Sequence, residues 1–352
     1  MKYSLLLAFC FIISASYGQA LEDRQHYVAF RTDVDLEMDG FLDEADWEKA
    51  EWSNLFVDIE GDKKPAPLQD TRLKMLWDDE NLYIGVWMEE SDLWATYTER
   101  ESVIFHENDI EVFIDPDGDT HNYYELEINA LGTEWDLMLT KPYRNLGSPI
   151  NGWNINGFEK GIQLFGTLND PSDRDSCWTV EMAIPWKALS QSGPSFAIPK
   201  DGQQWRINFS RVQWQLAVED GKYIKKINPA TGKSFPEYNW VWSAQGHINM
   251  HLPEYWGYLQ FADQPVGGNQ EYTPDPDSPI QEALRELYGL QAEYLAAKGH
   301  YATSLKELPG GSKYKKWNPS FEVSQTRFKM AIDSSQPDKK WYITEDSRIW
   351  RK

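Results

Sequence analysis

The stretch from Asp39 to Glu51 reads Asp-Gly-Phe-Leu-Asp-Glu-Ala-Asp-Trp-Glu-Lys-Ala-Glu and is the most informative part of the chain. It opens with a tight Asp-Gly turn and continues as a short amphipathic turn whose Trp47 requires burial. Short alternating runs of Val, Ile, Phe, Tyr and Trp follow it, separated by clusters of Asp, Asn, Gly and Pro. This pattern of many strands and few helices predicts an all-β sandwich or jelly roll.

Two strand pairs are predicted as hairpins, one over residues 71–88 and one over residues 109–129. Alternate residues of a strand point to opposite faces of a sheet. In the strand 123–129, Glu125, Glu127 and Asn129 therefore share one face, and the apolar residues between them share the other. A row of two carboxylates and an amide is a hydrogen-bonding surface, although an ordinary solvated strand face has the same pattern.

Composition excludes several classes of partner. The net charge of −22 argues against nucleic acid and anionic membranes, since both favour lysine and arginine. The chain has 17 Trp, 18 Tyr and 15 Phe, and tryptophan serves both in sandwich cores and in stacking on sugar rings. Most of these rings are expected in the core.

Residues 1–18 are typical of a signal peptide, with Lys2 before an apolar run and small residues before a cleavage site after Gly18. The apolar run is too short to span a bilayer. The sequence therefore predicts export to the periplasm or the extracellular space, without membrane insertion. Cleavage would leave Cys177 as the single cysteine, so no internal disulfide is expected.

The predicted organisation has four parts: a signal peptide (1–18), a β-sandwich (26–262), a linker (263–279) and a small α+β appendage (280–352). The linker is rich in proline and lacks periodicity. The appendage is predicted as one long helix, over 280–298, followed by a β-hairpin from two strand-like runs, 322–332 and 340–350. It resembles the globular half of type IV pilin-like proteins, which implies a packing or protein-interaction role.

Five motifs, in order, resemble the family 9 carbohydrate-binding modules. They are Asp39-Gly-x-Leu-Asp-Glu-x-x-Trp47, Leu82-Tyr-Ile after Asp78-Asp79, the acidic hairpin 107–129, Arg206-Ile-Asn-Phe-Ser-Arg211 and Pro253-Glu-Tyr-Trp-Gly-Tyr258. The resemblance covers about residues 28–261. It implies a non-catalytic module that holds a mono-, oligo- or polysaccharide by aromatic stacking and by hydrogen bonds to hydroxyl groups.

The resemblance also implies a set of ligand-binding residues. Phe105 takes the position of a stacking ring that is often Trp in the family, and Glu127 takes a position that is basic in well-characterised members. The implied set is Phe105, Asn108, Glu127, Asn129 and a late ring from Trp240 or Trp242, with Trp135, Trp153, Arg211 and Trp214 as further candidates.

Asp115-Pro-Asp-Gly-Asp119 places carboxylates at alternate positions, as calcium loops do, but lacks the glycine placement and final glutamate of an EF-hand. Family members can hold structural calcium. Asp115, Asp117 and Asp119 are therefore candidate calcium ligands, and the alternative is an ordinary hairpin turn.

Three other functions stay open at this stage. A glycoside hydrolase needs two carboxylates across a glycosidic bond, and no sequence signal selects such a pair. Related sandwiches bind haem for electron transfer, and Met88, Met138 and His106 are available, without a Cys-x-x-Cys-His motif. The third alternative is a protein-interaction module that uses the appendage.

Overall fold

The structure is a computed structural model that describes residues 24–190 and 198–352. The predicted signal peptide, residues 1–18, lies outside the described residues. Two α-helices are α1 (Ala45–Lys49) and α2 (Ser278–Lys298). The strands are β1 (His26–Arg31), β2 (Val57–Asp58), β3 (Thr71–Trp77), β4 (Asn81–Glu89), β5 (Asp109–Asp115), β6 (Tyr123–Asn129), β7 (Glu134–Leu139), β8 (Pro149–Ile150), β9 (Glu159–Phe165), β10 (Cys177–Pro185), β11 (Gln204–Gln213), β12 (Leu216–Glu219), β13 (Lys222–Lys225), β14 (Tyr238–Val241), β15 (Gly257–Pro265), β16 (Ser320–Val323), β17 (Phe328–Asp333), β18 (Lys340–Thr344) and β19 (Ile349–Arg351).

Within the described residues, thirteen strands form one hydrogen-bonded sheet that folds into two layers: eleven follow one path, and β14 and β2 branch from β11. One layer runs β8-β7-β6-β5-β11, and both β15 and β14 pair along the far edge of β11. The other layer runs β1-β3-β4-β10-β9, and β1 joins the layers by parallel pairing with β15 and β3. The edge strands β8 and β9 do not pair with each other, so this is an open sandwich, as the sequence predicts.

The main core lies between the inner faces of the two layers. It combines aliphatic residues such as Ile84 and Val180 from one layer with Ile110 and Leu126 from the other. The predicted inward face of β6 is confirmed, because its apolar residues all belong to this core. At roughly 25 cal/mol per Å² of apolar surface, this burial is the main source of stability in a unit whose one described cysteine is free.

The Asp39–Glu51 segment is anchored to β10 through one buried carboxylate. Trp47 is fully buried, and its indole Nε1 donates a hydrogen bond of 2.7 Å to Glu181 Oε1. The Gly40 amide donates to Glu181 Oε2 at 2.8 Å. Gly40 has a φ of +94°, and a Cβ there would lie 2.5 Å from the Gln163 backbone nitrogen, so the turn requires glycine.

The C-terminal part contains α2 packed on a four-stranded antiparallel sheet in the order β16-β17-β18-β19. Each of the two strand-like runs in the sequence contains a tight turn, closed by hydrogen bonds from Ser324 N to Arg327 O and from Thr344 N to Arg348 O. The predicted pairing of the two runs is present as β17 with β18, but each run is itself a hairpin, so the four strands form a meander. Helix α2 ends at Gly299, whose φ is +78°.

This α+β part lies against the sandwich. Arg348 Nε donates to Asp119 Oδ2 at 2.7 Å, and the Ile349 amide donates to the Asp119 carbonyl at 3.1 Å. Residues 263–279 follow the sandwich surface, where Tyr272 stacks on His26 with ring centroids 4.4 Å apart. Over the described residues, no helix is long and apolar enough to cross a membrane.

Candidate functional site

Four carboxylates converge on the outer face of β5 and β6, and we call Asp109, Glu111, Glu125 and Glu127 the acidic face. Alternation points these residues away from the core. Strand register then brings them together, because Glu111 pairs with Glu127 and Asp109 pairs with Asn129 across the hairpin. Ser210 of β11 pairs with Glu111 from the other side, so the same face continues onto a third strand.

The acidic face is buried although it lies on the outer side of the sheet. Its four carboxylates are between 1% and 6% exposed. Burial raises the pKa of Glu111 to about 7 and raises the pKa of Asp109, Glu125 and Glu127 well above the usual carboxyl range. Repulsion by the Glu111 carboxylate adds to the rise at the other three. Burial and mutual repulsion therefore disfavour the charged form of these carboxyls on this face.

Half-buried aromatic rings cover one end of the acidic face. Phe105 and Trp135 lie with ring centroids 6.2 Å apart and ring planes 29° apart. The Phe105 amide donates to Glu127 Oε2 at 3.0 Å, which ties this ring to the acidic face. Trp214 Nε1 donates to the Phe105 carbonyl at 3.0 Å, and Lys225 Nζ lies 3.3 Å from the centroid of the Trp214 ring.

The structure thus brings together three of the predicted ligand-binding residues, Phe105, Glu127 and Trp135, with the further candidate Trp214. Trp135 joins them because β7 pairs it with Glu127. Apolar ring faces can stack on a sugar ring, and carboxylate oxygens beside them can accept hydrogen bonds from its hydroxyl groups.

Three polar residues of the predicted set make structural contacts in this conformation. Asn129 is fully buried, and its side chain donates to Tyr97 O and accepts from the Leu131 and Thr133 amides. Asn108 accepts from the Trp214 amide at 2.8 Å. Arg211 points between the layers and forms a buried ion pair with Glu90 at 3.2 Å, so its guanidinium does not reach the acidic face.

Trp240 and Trp242, the two candidates for the second stacking ring, point into the core. Register places Trp240 opposite Arg211, and both Trp240 and Trp242 belong to the main core, with 2% and 1% exposure. Trp240 stacks on Tyr238, and Trp242 packs edge-on against Phe209. Trp153, another candidate, stacks on Tyr124 and is also buried. None of these three rings presents a face to a ligand in this conformation.

Sequence reasoning did not select Asp109, Glu111, Glu125 and Ser210 as site residues. The signal was present for the carboxylates, because Asp109 and Glu111 alternate with apolar residues just as Glu125 and Glu127 do. Their convergence depends on the pairing of β5 with β6, and the contribution of Ser210 depends on β11, about a hundred residues further along the chain.

The candidate calcium loop is a closed turn. Asp115, Asp117 and Asp119 each offer a carboxylate oxygen, and these oxygens lie within 4.8 Å of one another. Asp115 already accepts hydrogen bonds from the Gly118 and Thr120 amides, and Asp119 pairs with Arg348. The three carboxylates fit a calcium ion by number and spacing, but Asp115 and Asp119 already have backbone-amide and guanidinium partners.

The fold and the site define a class of two-layer β-sandwich proteins with an acidic sheet face beside half-buried aromatic rings. The chain belongs to the family described as carbohydrate family 9 binding domain-like, whose profile matches residues 38–213, half of the chain. This match confirms the first resemblance seen in the sequence. The likeness of residues 280–352 to pilin-like proteins stays a prediction.

Two curated proteins are similar over part of the chain. The Exoglucanase XynX of Acetivibrio thermocellus is 30% identical over 118 residues, which are 33% of this chain and 9% of that protein. The Endo-1,4-beta-xylanase A of Thermoanaerobacterium saccharolyticum is 30% identical over 120 residues, which are 34% of this chain and 8% of that protein. The similarity therefore spans less than a tenth of the length of either relative.

One solved structure to which the chain is similar is a family 9 carbohydrate-binding module from Caldicellulosiruptor kristjanssonii in complex with cellotriose. It is 14% identical, with a TM-score of 0.43, and the alignment covers 71% of this chain and 100% of that chain.

Proposed function

We propose that the protein is an exported, non-catalytic carbohydrate-binding protein that holds the end of a glycan chain beside the acidic face. Membership of the carbohydrate family 9 binding domain-like family supports carbohydrate binding. The predicted signal peptide supports export to the periplasm or the extracellular space. Two partly similar relatives are named as an exoglucanase and a xylanase, which favours a plant-type polysaccharide as the source of the glycan.

The observation that carries the proposal is the junction of Phe105, Trp135 and Glu127. Two half-buried rings lie next to the Glu127 carboxylate, which accepts a hydrogen bond from the Phe105 backbone amide. In this proposal the two partly exposed rings stack on the terminal sugar, and the buried Glu127 holds the Phe105 backbone in place through its hydrogen bond. Trp214 borders the same group through its bond to Phe105 and is the proposed second wall in place of Trp240 or Trp242.

A glycan array is the first test, followed by calorimetry on any glycan that binds. We expect Trp135→Ala and Phe105→Ala to weaken binding at least about tenfold, because losing an aromatic anchor typically costs about 2 kcal/mol. Trp350→Ala is the matched control. It removes another half-buried, stacked ring, paired with Tyr342 on the C-terminal sheet, and should leave affinity unchanged. Equal losses in all three variants, or no glycan bound by the unaltered protein, would contradict the proposed function.

We propose a separate role for residues 280–352 as an interaction surface for a protein partner. The observation behind this is a strip of aromatic and basic side chains on the four-stranded sheet, where Tyr342 stacks on Trp350 with Lys329 and Arg348 beside them. Substituting Tyr342 and Trp350 together should abolish capture of such a partner without changing glycan affinity.

A further inference from the structure

We propose that Asp109, Glu111 and Glu127 bind one hard divalent cation, best matched by Ca²⁺, on the acidic face. Carboxylate oxygens are the ligands that Ca²⁺ and Mg²⁺ prefer. This inference concerns a cation site other than the Asp115–Asp119 loop, and it does not depend on which glycan the protein binds or on whether it binds one.

The spacing of the oxygens fits calcium. One oxygen from each of Asp109, Glu111 and Glu127 lies within 4.8 Å of the other two. Because Ca–O bonds measure about 2.3–2.6 Å, two oxygens on opposite sides of a calcium ion are about 4.6–5.2 Å apart. Mg²⁺ demands near-ideal octahedral geometry, whereas Ca²⁺ accepts a flexible arrangement of six to eight oxygens, which suits three carboxylates fixed on neighbouring strands better. No large movement is needed for a calcium ion to contact all three residues.

Unpartnered buried oxygens give independent evidence of a missing ligand. Glu127 Oε1 and both carboxylate oxygens of Asp109 have no hydrogen-bond partner, although each residue is only 1% exposed. The Val212 backbone amide lies near Asp109 and acts to lower its pKa, but the contact between them falls short of hydrogen-bond geometry. Ser210 Oγ is also fully buried; it lies close enough to Glu111 to lower the pKa of that carboxyl, but their contact falls short of hydrogen-bond geometry. Native proteins leave few buried polar atoms unsatisfied, and those that remain unsatisfied commonly mark a bound ion or water.

The acidic face also lacks a counter-charge. No lysine, arginine or histidine within 24–190 or 198–352 forms an ion pair with any of its four carboxylates. Apart from burial, the charged groups that act most strongly on the cluster are other carboxylates, with Glu107 and Glu237 at its border. Uncompensated buried charges are expensive, and a divalent cation would offset that cost. The Asp115–Asp119 loop differs because Arg348 already pairs with Asp119.

The test is calorimetric titration of the full, chelator-treated protein with Ca²⁺, supported by Tb³⁺ luminescence excited through tryptophan. Asp109→Asn and Glu127→Gln remove one ligand charge each while keeping side-chain size. Asp117→Asn is the matched control, since it removes one carboxylate from the other candidate cluster. Thermal unfolding of each variant without added metal checks that it is folded.

We expect one Ca²⁺ per chain in the unaltered protein, and affinity weakened about tenfold or more in Asp109→Asn and Glu127→Gln, because affinity follows the number of charged ligands. Asp117→Asn should bind like the unaltered protein. Without metal, Asp109→Asn should unfold at the same or a higher temperature, since it relieves repulsion. The inference is overturned if no divalent cation binds, or if Asp117→Asn loses binding while Asp109→Asn keeps it. Since no glycan is present, this outcome is independent of the proposed function.

Discussion

At the scale of a single residue, Trp47 and Glu181 show how one buried carboxylate fixes the start of the sandwich. Burial raises the pKa of Glu181 to about 8, and the Gly40 amide and the Trp47 indole donate to its two oxygens. The Asp39 amide also donates to Glu181 Oε2, at 3.2 Å, so three donors satisfy the buried carboxyl. Removing the Trp47 donor leaves Oε1 as a buried acceptor without a partner, which is more costly than losing an exposed hydrogen bond.

We expect Trp47→Phe to lower the free energy of unfolding by about 1–3 kcal/mol, because Phe keeps much of the ring packing but cannot donate to Glu181. The measurement is urea denaturation followed by circular dichroism. Trp350→Phe is the control, since the Trp350 ring is half-buried, and its loss should stay below about 1 kcal/mol. Equal destabilisation by the two variants would show that the bond to Glu181 contributes nothing specific.

At the scale of elements, the β5–β6 hairpin shows what the sequence could and could not predict. Alternation assigned Glu125 and Glu127 to one face, and the structure confirms this assignment. It could not predict the surroundings of this face, because neighbours such as Trp214, which donates to the Phe105 carbonyl, belong to a later segment. Trp240 and Trp242 could not be placed for a similar reason. Tryptophan suits a core as well as a binding site, and only the pairing of β14 with β11 decides which face each ring takes.

The turn between β18 and β19 rests on the Asp115–Asp119 loop, and this contact between elements is open to test. Arg348→Gln removes the ion pair with Asp119, and about half of the arginine side chain is exposed. We therefore expect a loss of stability of less than about 1 kcal/mol. The local effect should be larger: peptides containing the Ile349 amide, which donates to Asp119, should exchange hydrogen faster, whereas peptides from β17 should not. Equal exchange in both regions would show that the ion pair does not hold the turn.

At the scale of the whole molecule, the acidic face and the net charge of −22 both lower the stability of the folded protein as the pH rises. A buried carboxyl whose pKa is raised by folding binds more protons in the folded state than in the unfolded state. Its contribution to stability is therefore greatest at low pH and is lost as the pH rises through the folded pKa. Buried His251 has the opposite effect, because burial lowers its pKa to about 4, but that contribution is complete by about pH 6.5.

The unfolding temperature of the metal-free protein should consequently fall between pH 6.5 and pH 8.5, because folding raises the pKa of Glu111 to about 7 and the pKa of Glu181 to about 8, and both carboxyls lose their protons in that range. Each 1 kcal/mol lost corresponds to about 2–4 °C. Glu111→Gln should make the fall shallower, because it removes both a titrating group and the main source of repulsion. Saturating Ca²⁺ should oppose the fall, since cation binding favours the deprotonated carboxylates. Differential scanning calorimetry at constant ionic strength measures this directly. A slope that is unchanged by both Glu111→Gln and Ca²⁺ would show that the acidic face does not set the pH dependence of this molecule.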